Sequence, residues 1–380
     1  MRTKKKPRVA IRGWYGHKNT GDDALAATIA WGLHRFLGAR LMDMMCNERL
    51  VLPENVPVRY LLGMRGLDRG QFAWRMIRAD LQVIGGGSCL HDNRGVRALH
   101  RWLRFMRIGA LLGHRTVGIG VSVGPVRTRA GRDALGRLLD RAALMWVRDQ
   151  RSVNFARSLT PNAERNVFLG PDPAVLIDQV GLPEPHSLSR PDVPVLLVAP
   201  CNRYYVPGAE QANDMRRRRL AECLSHVCRQ SNVLARFLVM NGGEALGDLL
   251  TCRILADDLP PGRAEIVDYD PNPLFAFRVI QESSLVVGVR LHSLIYAYTA
   301  SVPFIALNYH VKVEDFVRSV GGAPECLFES HDFDPKALAA RILESLRLPP
   351  AALLPTIPAT ESKQRATESF SRLAEFLRAT

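Results

Sequence analysis

Arginine, histidine and lysine side chains gather around one short apolar segment of this 380-residue sequence. The stretch GVRLHS puts Arg290 and His292 directly after the apolar run Leu285-Val286-Val287, and Lys312 follows twenty residues after the histidine. Cationic groups are costly to bury without an anionic partner, and arginine suits two-bond contact with a carboxylate or phosphate. A lone histidine here is more often structural, but beside two cations it suits proton transfer near neutral pH. The pattern therefore predicts an anion site with an acid–base residue.

Two glycine-bearing segments predict further ligand contacts. NTGDD, within GWYGHKNTGDDA, leads from the first strand into a helix, and IGGGSCLHD follows a later strand. Glycine allows close backbone approach, and the N–H groups of a helix start favour an anion or a ligand hydroxyl. The candidates are Asn19, Asp22, Gly86 and Gly87, although Asn19 or Asp22 could serve only as the helix cap.

Arg148 is a further cationic candidate. It lies in WVRDQRS, where a strand ends and a helix begins. Ligands of α/β proteins usually bind beyond the carboxyl ends of strands, which favours a functional arginine at this place. The alternative is a surface ion pair with the neighbouring Asp149, and spacing alone does not decide between the two.

These side chains need elements that hold them, and short β-rich segments alternate with helical patterns along the whole chain. Continuous apolar runs flanked by helices indicate parallel strands covered on both faces, so the fold class is α/β with two Rossmann-like domains. In the first half, the predicted strands are RVAIRGW, DLQVIGGG, HRTVGIG and LMWVRD, with helices over about 22–37, over 97–112 and from Gln150. In the second half they are VLLVAP, ARFLVM, AEIVDY, SLVVGV and VPFIALNY, the last closing the sheet, with helices over about 209–230, from Glu244 and over 272–281.

A proline-rich segment, residues 178–194, is the best linker between the two halves. The predicted domains are therefore 1–180 and 181–348. Residues 349–380 form a proline-rich link and a helix over about 361–379 that could pack back across the junction. Two facing α/β domains would form a cleft lined by the carboxyl ends of their strands.

The composition narrows the functional class. A formal net charge of +14 attracts polyanions, anionic membrane surfaces or acidic small substrates. Aromatic residues make up only 7% and are not interleaved with basic runs, which argues against nucleic-acid binding. The run Arg216 to Arg219 wraps around a helix and is interpreted as a solvated face. The seven cysteines are scattered without a CxxC pair, so neither a disulfide framework nor a metal site is predicted.

The sequence also suggests a location. No apolar stretch is long enough to span a bilayer, and the basic start MRTKKKPR is not followed by the apolar core of a secretory signal. We therefore expect a cytoplasmic protein whose basic surface contacts the inner face of the membrane electrostatically.

Five segments together resemble the polysaccharide pyruvyl transferase family. In chain order from about residue 9 to residue 320, they are GWYGHKNTGDDAL, DLQVIGGGSCLHD, VRDQRS, GPDPAVLI and GVRLHSLIYAYTASVPFIALNYHVKVEDF. The R-L-H segment with a lysine twenty residues on, combined with the early N-x-G-D, carries most of this likeness. The resemblance implies a GT-B-like architecture, in which two Rossmann-like domains face each other across a cleft.

The resemblance also implies an activity. Such enzymes transfer the enolpyruvyl carbons of phosphoenolpyruvate onto two hydroxyls of one sugar, giving a cyclic pyruvate ketal and phosphate. Phosphoenolpyruvate would be the donor co-substrate, with no separate cofactor. Its contacts would be Arg148, Arg290, the backbone at Leu291, and Lys312, and the proton donor would be His292.

The acceptor implied by the resemblance is a sugar of a cell-surface polysaccharide or exopolysaccharide precursor. Asn19 would help to orient either this sugar or the closed loop, with Asp22, Gly86 and Gly87 in the glycine loops on the acceptor side. His17-Lys18 stands where the family pattern leads us to expect an aromatic or apolar residue. This departure leaves the acceptor open: a lipid-linked glycan, a nucleotide-linked sugar or a small metabolite.

Two other functions compete with this interpretation. A GT-B glycosyltransferase that uses a nucleotide sugar would also have two α/β domains and a basic pocket, and Glu314 is the one candidate for its ribose-binding glutamate. A non-enzymatic anion or nucleic-acid binder would account for the net charge alone, and its affinity would depend strongly on salt.

Overall fold

The computed structural model describes residues 6–62, 67–92, 96–201, 209–243 and 247–379, and the chain divides into two units. Unit 1 comprises Met1–His17, Asp22–Pro183 and Ser362–Thr380. Unit 2 comprises Lys18–Gly21 and Glu184–Glu361. The change of unit at Pro183 falls within the predicted linker, and the terminal segment 349–380 is shared between the two units.

Seven parallel strands and their connecting helices form unit 1. The strands are β1 (Arg8–Arg12), β2 (Leu41–Cys46), β3 (Val58–Leu62), β4 (Leu81–Leu90), β5 (Arg115–Val123), β6 (Leu144–Val147) and β7 (Val167–Leu169). The helices are α1 (Thr20–Leu37), which starts in the segment grouped with unit 2, α2 (Leu67–Ile77), α3 (Val96–Leu111), α4 (Arg129–Arg141), α5 (Gln150–Leu159) and α6 (Ala163–Asn166).

The sheet of unit 1 has its topological switch point between β1 and β4. Its strand order is β3-β2-β1-β4-β5-β6-β7. Successive strands are added outward from β1 in one direction and from β4 in the other, as in doubly wound folds. Gly86 and Gly87 lie within β4, and the loop after β1 leads through residues 18–21, which are grouped with unit 2, into α1. Asp22, Gly86 and Gly87 therefore lie where such sheets bind ligands.

Unit 2 repeats this architecture with six parallel strands in the order β10-β9-β8-β11-β12-β13. The strands are β8 (Val195–Ala199), β9 (Leu234–Leu238), β10 (Ala264–Val267), β11 (Leu285–Gly288), β12 (Phe304–Asn308) and β13 (Leu327–Glu329). The helices are α7 (Ala209–Gln230), α8 (Leu249–Asp257), α9 (Pro273–Gln281), α10 (Leu291–Thr299), α11 (Val311–Ser319) and α12 (Pro335–Ser345). The prediction that VPFIALNY closes the sheet is wrong, because β13 pairs beyond it.

The last helix, α13 (Ala359–Ala379), completes unit 1 from Ser362 onward. Phe370 is fully buried, with its ring stacked 5.8 Å from that of Phe36 and edge-on at 5.1 Å to Trp146. Gly32 of α1 gives this ring its space, since a Cβ there would lie 2.3 Å from Phe370. Aromatic packing of this kind contributes beyond the buried area itself.

Arg216 corrects the interpretation of the arginine run on α7. Its side chain is buried and donates to Ser330 Oγ at 3.0 Å and to the Cys201 carbonyl oxygen at 2.5 Å. Arg219 pairs with Asp332 at 3.0 Å. The run is therefore partly an internal anchor of unit 2, not only a solvated face, because a buried guanidinium requires bonds to polar partners.

Candidate active site

The R-L-H segment of unit 2 forms the turn between β11 and α10. Arg290 is the residue that precedes the first helical residue, Leu291, and has an extended backbone (φ −71°, ψ 125°). β11 lies beside β8 at the topological switch point of the sheet. The turn therefore places Arg290, Leu291 and His292 at the carboxyl edge of the sheet, where the first N–H groups of α10 and the positive end of its dipole lie.

Arg290 has an anionic partner within the protein, the carboxylate of Asp248. Arg290 Nε donates to Asp248 Oδ2 at 3.0 Å and Nη2 donates to Oδ1 at 2.5 Å, and the two side chains are 8% and 0% exposed. Burial disfavours the charged form of Arg290, but the Asp248 carboxylate outweighs burial and raises the pKa of Arg290 above its ordinary value. Asp248 thus fixes the plane of the guanidinium.

The same carboxylate anchors the loop that follows β9. The backbone N–H of Asn241 donates to Asp248 Oδ2 at 3.0 Å, and the N–H of Asp248 donates back to the Asn241 carbonyl at 2.8 Å. The N–H of Thr20 donates to the Met240 carbonyl at 3.0 Å, so the start of α1 is tied to this loop. One loop therefore holds the early N-x-G-D segment and the arginine of the late R-L-H segment.

Asn19 and Gly21 bring the N-x-G-D segment against His292. Asn19 forms an isolated bridge with Asn241, and its side-chain oxygen accepts from the N–H of Gly21 at 3.3 Å, as a helix cap does. A Cβ on Gly21 would lie 1.9 Å from His292 Nδ1 and 2.2 Å from Cγ of the ring. The glycine is therefore required for the imidazole to occupy its position against the start of α1.

We expect Gly21→Ala to displace the His292 ring, because no Cβ fits at 1.9 Å from its Nδ1. Gly70→Ala is the matched control, since no atom of the described residues lies within 4 Å of a Cβ at that helical position. On helix propensity alone, each alanine should stabilise its helix by up to about 1 kcal/mol. A lower midpoint of thermal unfolding in Gly21→Ala but not in Gly70→Ala would support the contact, and equal effects would contradict it.

Lys312 is the third cationic candidate of unit 2. It is the second residue of α11, its backbone N–H donates to His310 Nδ1 at 3.3 Å, and its Nζ lies 5.4 Å from the centroid of the Tyr309 ring. Because β11 and β12 are neighbouring parallel strands, Lys312 and Arg290 follow the same carboxyl edge.

Arg148 of unit 1 lies across the carboxyl ends of three neighbouring strands. Its Nε donates to Ser122 of β5 at 2.9 Å, Nη2 to Ser88 of β4 at 3.3 Å, and Nη1 to Asp172 at 2.6 Å. Its side chain is 5% exposed, so the predicted alternative, a surface pair with Asp149, is wrong. Burial opposes its charge, but Asp172 outweighs burial and raises the pKa of Arg148 above its ordinary value.

The glycines of unit 1 allow the start of α1 to approach β4. Gly86 and Gly87 have φ angles of +53° and +80°, which favour glycine. Asp22 Oδ1 lies 3.2 Å from where a Cβ of Gly87 would be, and Leu25 lies 2.8 Å from that of Gly86. The predicted acceptor-side residues Asp22, Gly86 and Gly87 therefore meet at one place, the switch point of unit 1.

The predicted site residues thus form two groups. Unit 2 holds Asn19, Arg290, Leu291, His292 and Lys312, and unit 1 holds Asp22, Gly86, Gly87 and Arg148. Sequence reasoning missed the two carboxylates, Asp248 and Asp172, that hold the arginines. A buried arginine requires an acidic partner, and this requirement could have indicated that such carboxylates exist. Sequence spacing cannot identify which acid on another loop is the partner.

Solved structures confirm the predicted fold class. UDP-GlcNAc 2-epimerase from Methanocaldococcus jannaschii aligns with a TM-score of 0.60 at 12% identity, over 98% of this chain and 100% of that one. The Neisseria meningitidis UDP-GlcNAc 2-epimerase bound to UDP-GlcNAc gives 0.61 at 10% identity, and Anabaena HepE in complex with UDP and glucose gives 0.58 at 12%, both over 98% and 100% of the two chains. These are GT-B-like enzymes, and at such identities the likeness concerns the fold alone.

Comparison of the sequence with known sequences tests membership of a family, and not only the fold. No curated protein sequence matches this chain. The sequence model of the family described as "Polysaccharide pyruvyl transferase" matches residues 13–311, which span both glycine segments, Arg148 and the R-L-H turn. That match covers most of the chain and confirms the resemblance drawn from its motifs. The chain belongs to the polysaccharide pyruvyl transferase family.

Proposed function

We propose that this protein is a pyruvyltransferase that uses phosphoenolpyruvate to form a pyruvate ketal on two hydroxyls of a sugar in a cell-surface polysaccharide or exopolysaccharide precursor. The observation that carries the proposal is the R-L-H turn at the switch point of unit 2. There a fixed guanidinium, two helix starts, a lysine and a histidine share one sheet edge. Membership of the family supports the same reaction class.

Donor binding follows from the charges at this edge. Phosphoenolpyruvate carries close to three negative charges, whereas Asp248 already neutralises Arg290. The electrostatic attraction for phosphoenolpyruvate therefore comes from Lys312 and from the positive ends of α10 and α11, while Arg290 orients the bound donor. The Arg290 guanidinium is held in plane by the two bonds that it donates to Asp248. Its Nη1 edge can therefore meet a carboxylate or phosphate oxygen without losing rotational freedom on binding.

His292 is the group proposed to move the proton. When His292 gives this proton to the methylene carbon of phosphoenolpyruvate, an oxocarbenium-like centre forms at C2. One sugar hydroxyl attacks C2 and loses its proton, and the C2–O bond to phosphate breaks with the electron pair leaving on phosphate. The second hydroxyl then attacks C2 and closes the ring. Of the two protons that the hydroxyls lose, one reprotonates His292 and the other leaves with phosphate. General acid–base catalysis of this kind contributes about a hundredfold to ten-thousandfold in rate.

The glycine segments of unit 1 are proposed to contact the acceptor. The Asp22 carboxylate beside Gly87 can accept hydrogen bonds from sugar hydroxyls, and the backbone of Gly86 and Gly87 can approach them closely. His17, which stands where the family pattern predicts an aromatic or apolar residue, stacks its ring on that of Trp14 with centroids 4.0 Å apart. We infer that this pair contributes to the choice of acceptor, which we place among glycan precursors of the cytoplasm.

The test is direct. The protein is incubated with phosphoenolpyruvate and a panel of glycans, and released phosphate is measured together with the mass of each glycan. A mass gain that corresponds to one ketal-linked pyruvate, in equal amount to released phosphate, supports the proposal. Phosphate release without any gain in glycan mass, or no release with any acceptor, contradicts it.

A nucleotide-sugar glycosyltransferase is the second candidate, because the structural neighbours include enzymes solved with UDP, UDP-glucose or UDP-GlcNAc. Glu314, the one glutamate considered for its ribose, is partly buried and pairs with Arg318 of the same helix at 2.7 Å. The panel is therefore run with UDP-sugars in place of phosphoenolpyruvate. Release of UDP with a gain of one sugar would replace the proposal with this second function.

From the family resemblance we propose that Arg148 also contacts phosphoenolpyruvate, so Arg148→Lys should weaken donor binding by at least about thirtyfold, equivalent to about 2 kcal/mol. Lysine keeps the charge beside Asp172 but cannot bond Ser122 and Ser88 as well. Arg157→Lys is the control, because its pair with Glu164 is exposed on both sides. Calorimetric titration that gives equal affinities for both variants would remove Arg148 from the donor site.

A further inference from the structure

The outer face of unit 1 contains a groove between α3 and α4 that plays no part in the proposed chemistry. The groove encloses about 350 Å³. Its walls are two helical stripes at spacings of three and four residues, one including Leu103, Arg104 and Arg107, the other including Arg137, Leu138 and Arg141. Apolar side chains therefore form its floor and guanidinium groups its rim.

The charge of this groove is of one sign. Arg104, Arg107, Arg137 and Arg141 are all exposed, and within the described ranges none of these four has an ion-pair or hydrogen-bond partner. Among the lining residues that the structure describes, none is a carboxylate. The sequence of α3, VRALHRWLRFMRIGAL, contains four arginines and no acidic residue at all. Four like charges around one groove repel each other unless an anion is bound, so the groove complements a multiply anionic partner.

Exposed apolar side chains lie at the end of α3, next in sequence to the groove residues Arg107 and Ala110. At the end of α3, Leu111 is 83% exposed, and Ile108 and Leu112 are 41% and 39% exposed. A soluble anion would leave these side chains in water. At a bilayer surface, Leu111 would enter the boundary between headgroups and acyl chains, while lipid phosphates would contact the arginines. Amphipathic basic helices bind membranes in this way.

We propose that the α3–α4 face of unit 1 docks on a membrane that contains anionic phospholipids. In this arrangement Arg104, Arg107, Arg137 and Arg141 contact lipid phosphates, and Leu111 enters the boundary between headgroups and acyl chains. No helix in the described part of the chain is long and apolar enough to span a bilayer, so the contact is made from the surface. The proposal goes beyond pyruvyl transfer and does not depend on it, because docking is measured without substrate.

The experiment compares binding of the full chain to phosphatidylcholine vesicles with and without phosphatidylglycerol. Each cation near an anionic surface contributes about fivefold to binding, so Arg104→Gln/Arg137→Gln should weaken binding to the anionic vesicles about thirtyfold. Leu111→Ser should weaken it about tenfold or more. The control Arg35→Gln/Arg40→Gln removes the same charge from other exposed positions of unit 1 and should change binding less than threefold. Thermal unfolding checks that all variants are folded.

Three results would overturn the proposal. The first is unchanged vesicle binding in the groove variant, and the second is an equal loss in the control variant. The third is displacement of the vesicles by inorganic phosphate or heparin, combined with no effect of Leu111→Ser, which would assign the groove to a soluble anion instead. Release of the wild-type protein by raised salt would support it, because exposed charges are screened within about 10 Å at 0.1 M salt.

Discussion

His292→Ala is expected to lower phosphate release from phosphoenolpyruvate at least about a hundredfold while leaving donor affinity within about tenfold. The loss follows from removing the proposed proton donor. The small change in affinity follows from the remaining contacts, since Arg290, Lys312 and the backbone N–H groups at the start of α10 are kept. Single-turnover release of phosphate and calorimetric titration with phosphoenolpyruvate measure the two quantities separately.

His226→Ala provides the control for this experiment. His226 is exposed on α7, so its removal should change neither quantity. If His292→Ala retains more than a tenth of wild-type turnover, another group donates the proton. If turnover and affinity fall in parallel, His292 acts in donor binding and the assigned role is wrong.

Arg290→Ala and Asp248→Asn are each expected to lower the free energy of unfolding by about 3–5 kcal/mol, because each leaves one charge of a buried pair without its partner. Asp248 is completely buried and bonds Arg290 through both oxygens. Loss of donor binding in either single variant therefore does not distinguish a binding role from a structural one. Urea unfolding of both variants measures the stability loss.

The double variant Arg290→Met/Asp248→Asn separates the two roles. The asparagine oxygen still accepts from the N–H of Asn241, and neither charge of the buried pair remains, so most of the lost stability should return. Donor affinity should not return, because the oriented guanidinium is gone. Recovery of both stability and phosphoenolpyruvate affinity would show that Arg290 serves only the fold.

Much of the fold could be predicted from the sequence, because parallel strands covered on both faces are continuous apolar runs. β8, β11 and β12 are of this type, and the helix predicted over 209–230 matches α7. β2 was not predicted, since Asp43 interrupts its apolar run. In the structure that carboxylate accepts from Arg59 at 2.9 Å and 3.0 Å and from Arg75 at 3.3 Å. Only partners distant in sequence make a buried aspartate acceptable in a strand. The short strands β3, β7 and β13 were also missed.

The candidate site shows the same limit. The residues at the ends of strands were identified, because strand ends and glycines are visible in sequence. Their partners were not: Asp248 lies forty-two residues from Arg290, on a different loop, and meets it only through the order of strands in the sheet. Gly21 was part of a quoted motif, but its contact with His292 depends on backbone placement that spacing does not encode.

Each unit consists of separate stretches of the chain, so a single cut cannot separate the two units or exchange them between proteins. The chain passes from one unit to the other at His17, at Gly21, at Pro183 and at Glu361. Cutting at Pro183 would leave the first fragment without the buried Phe370, and the second without Asn19 and Gly21. Neither fragment would be a whole unit, so recombination at the linker alone could not exchange complete units between relatives. A functional chimaera must carry residues 18–21 together with the second half and residues 362–380 together with the first.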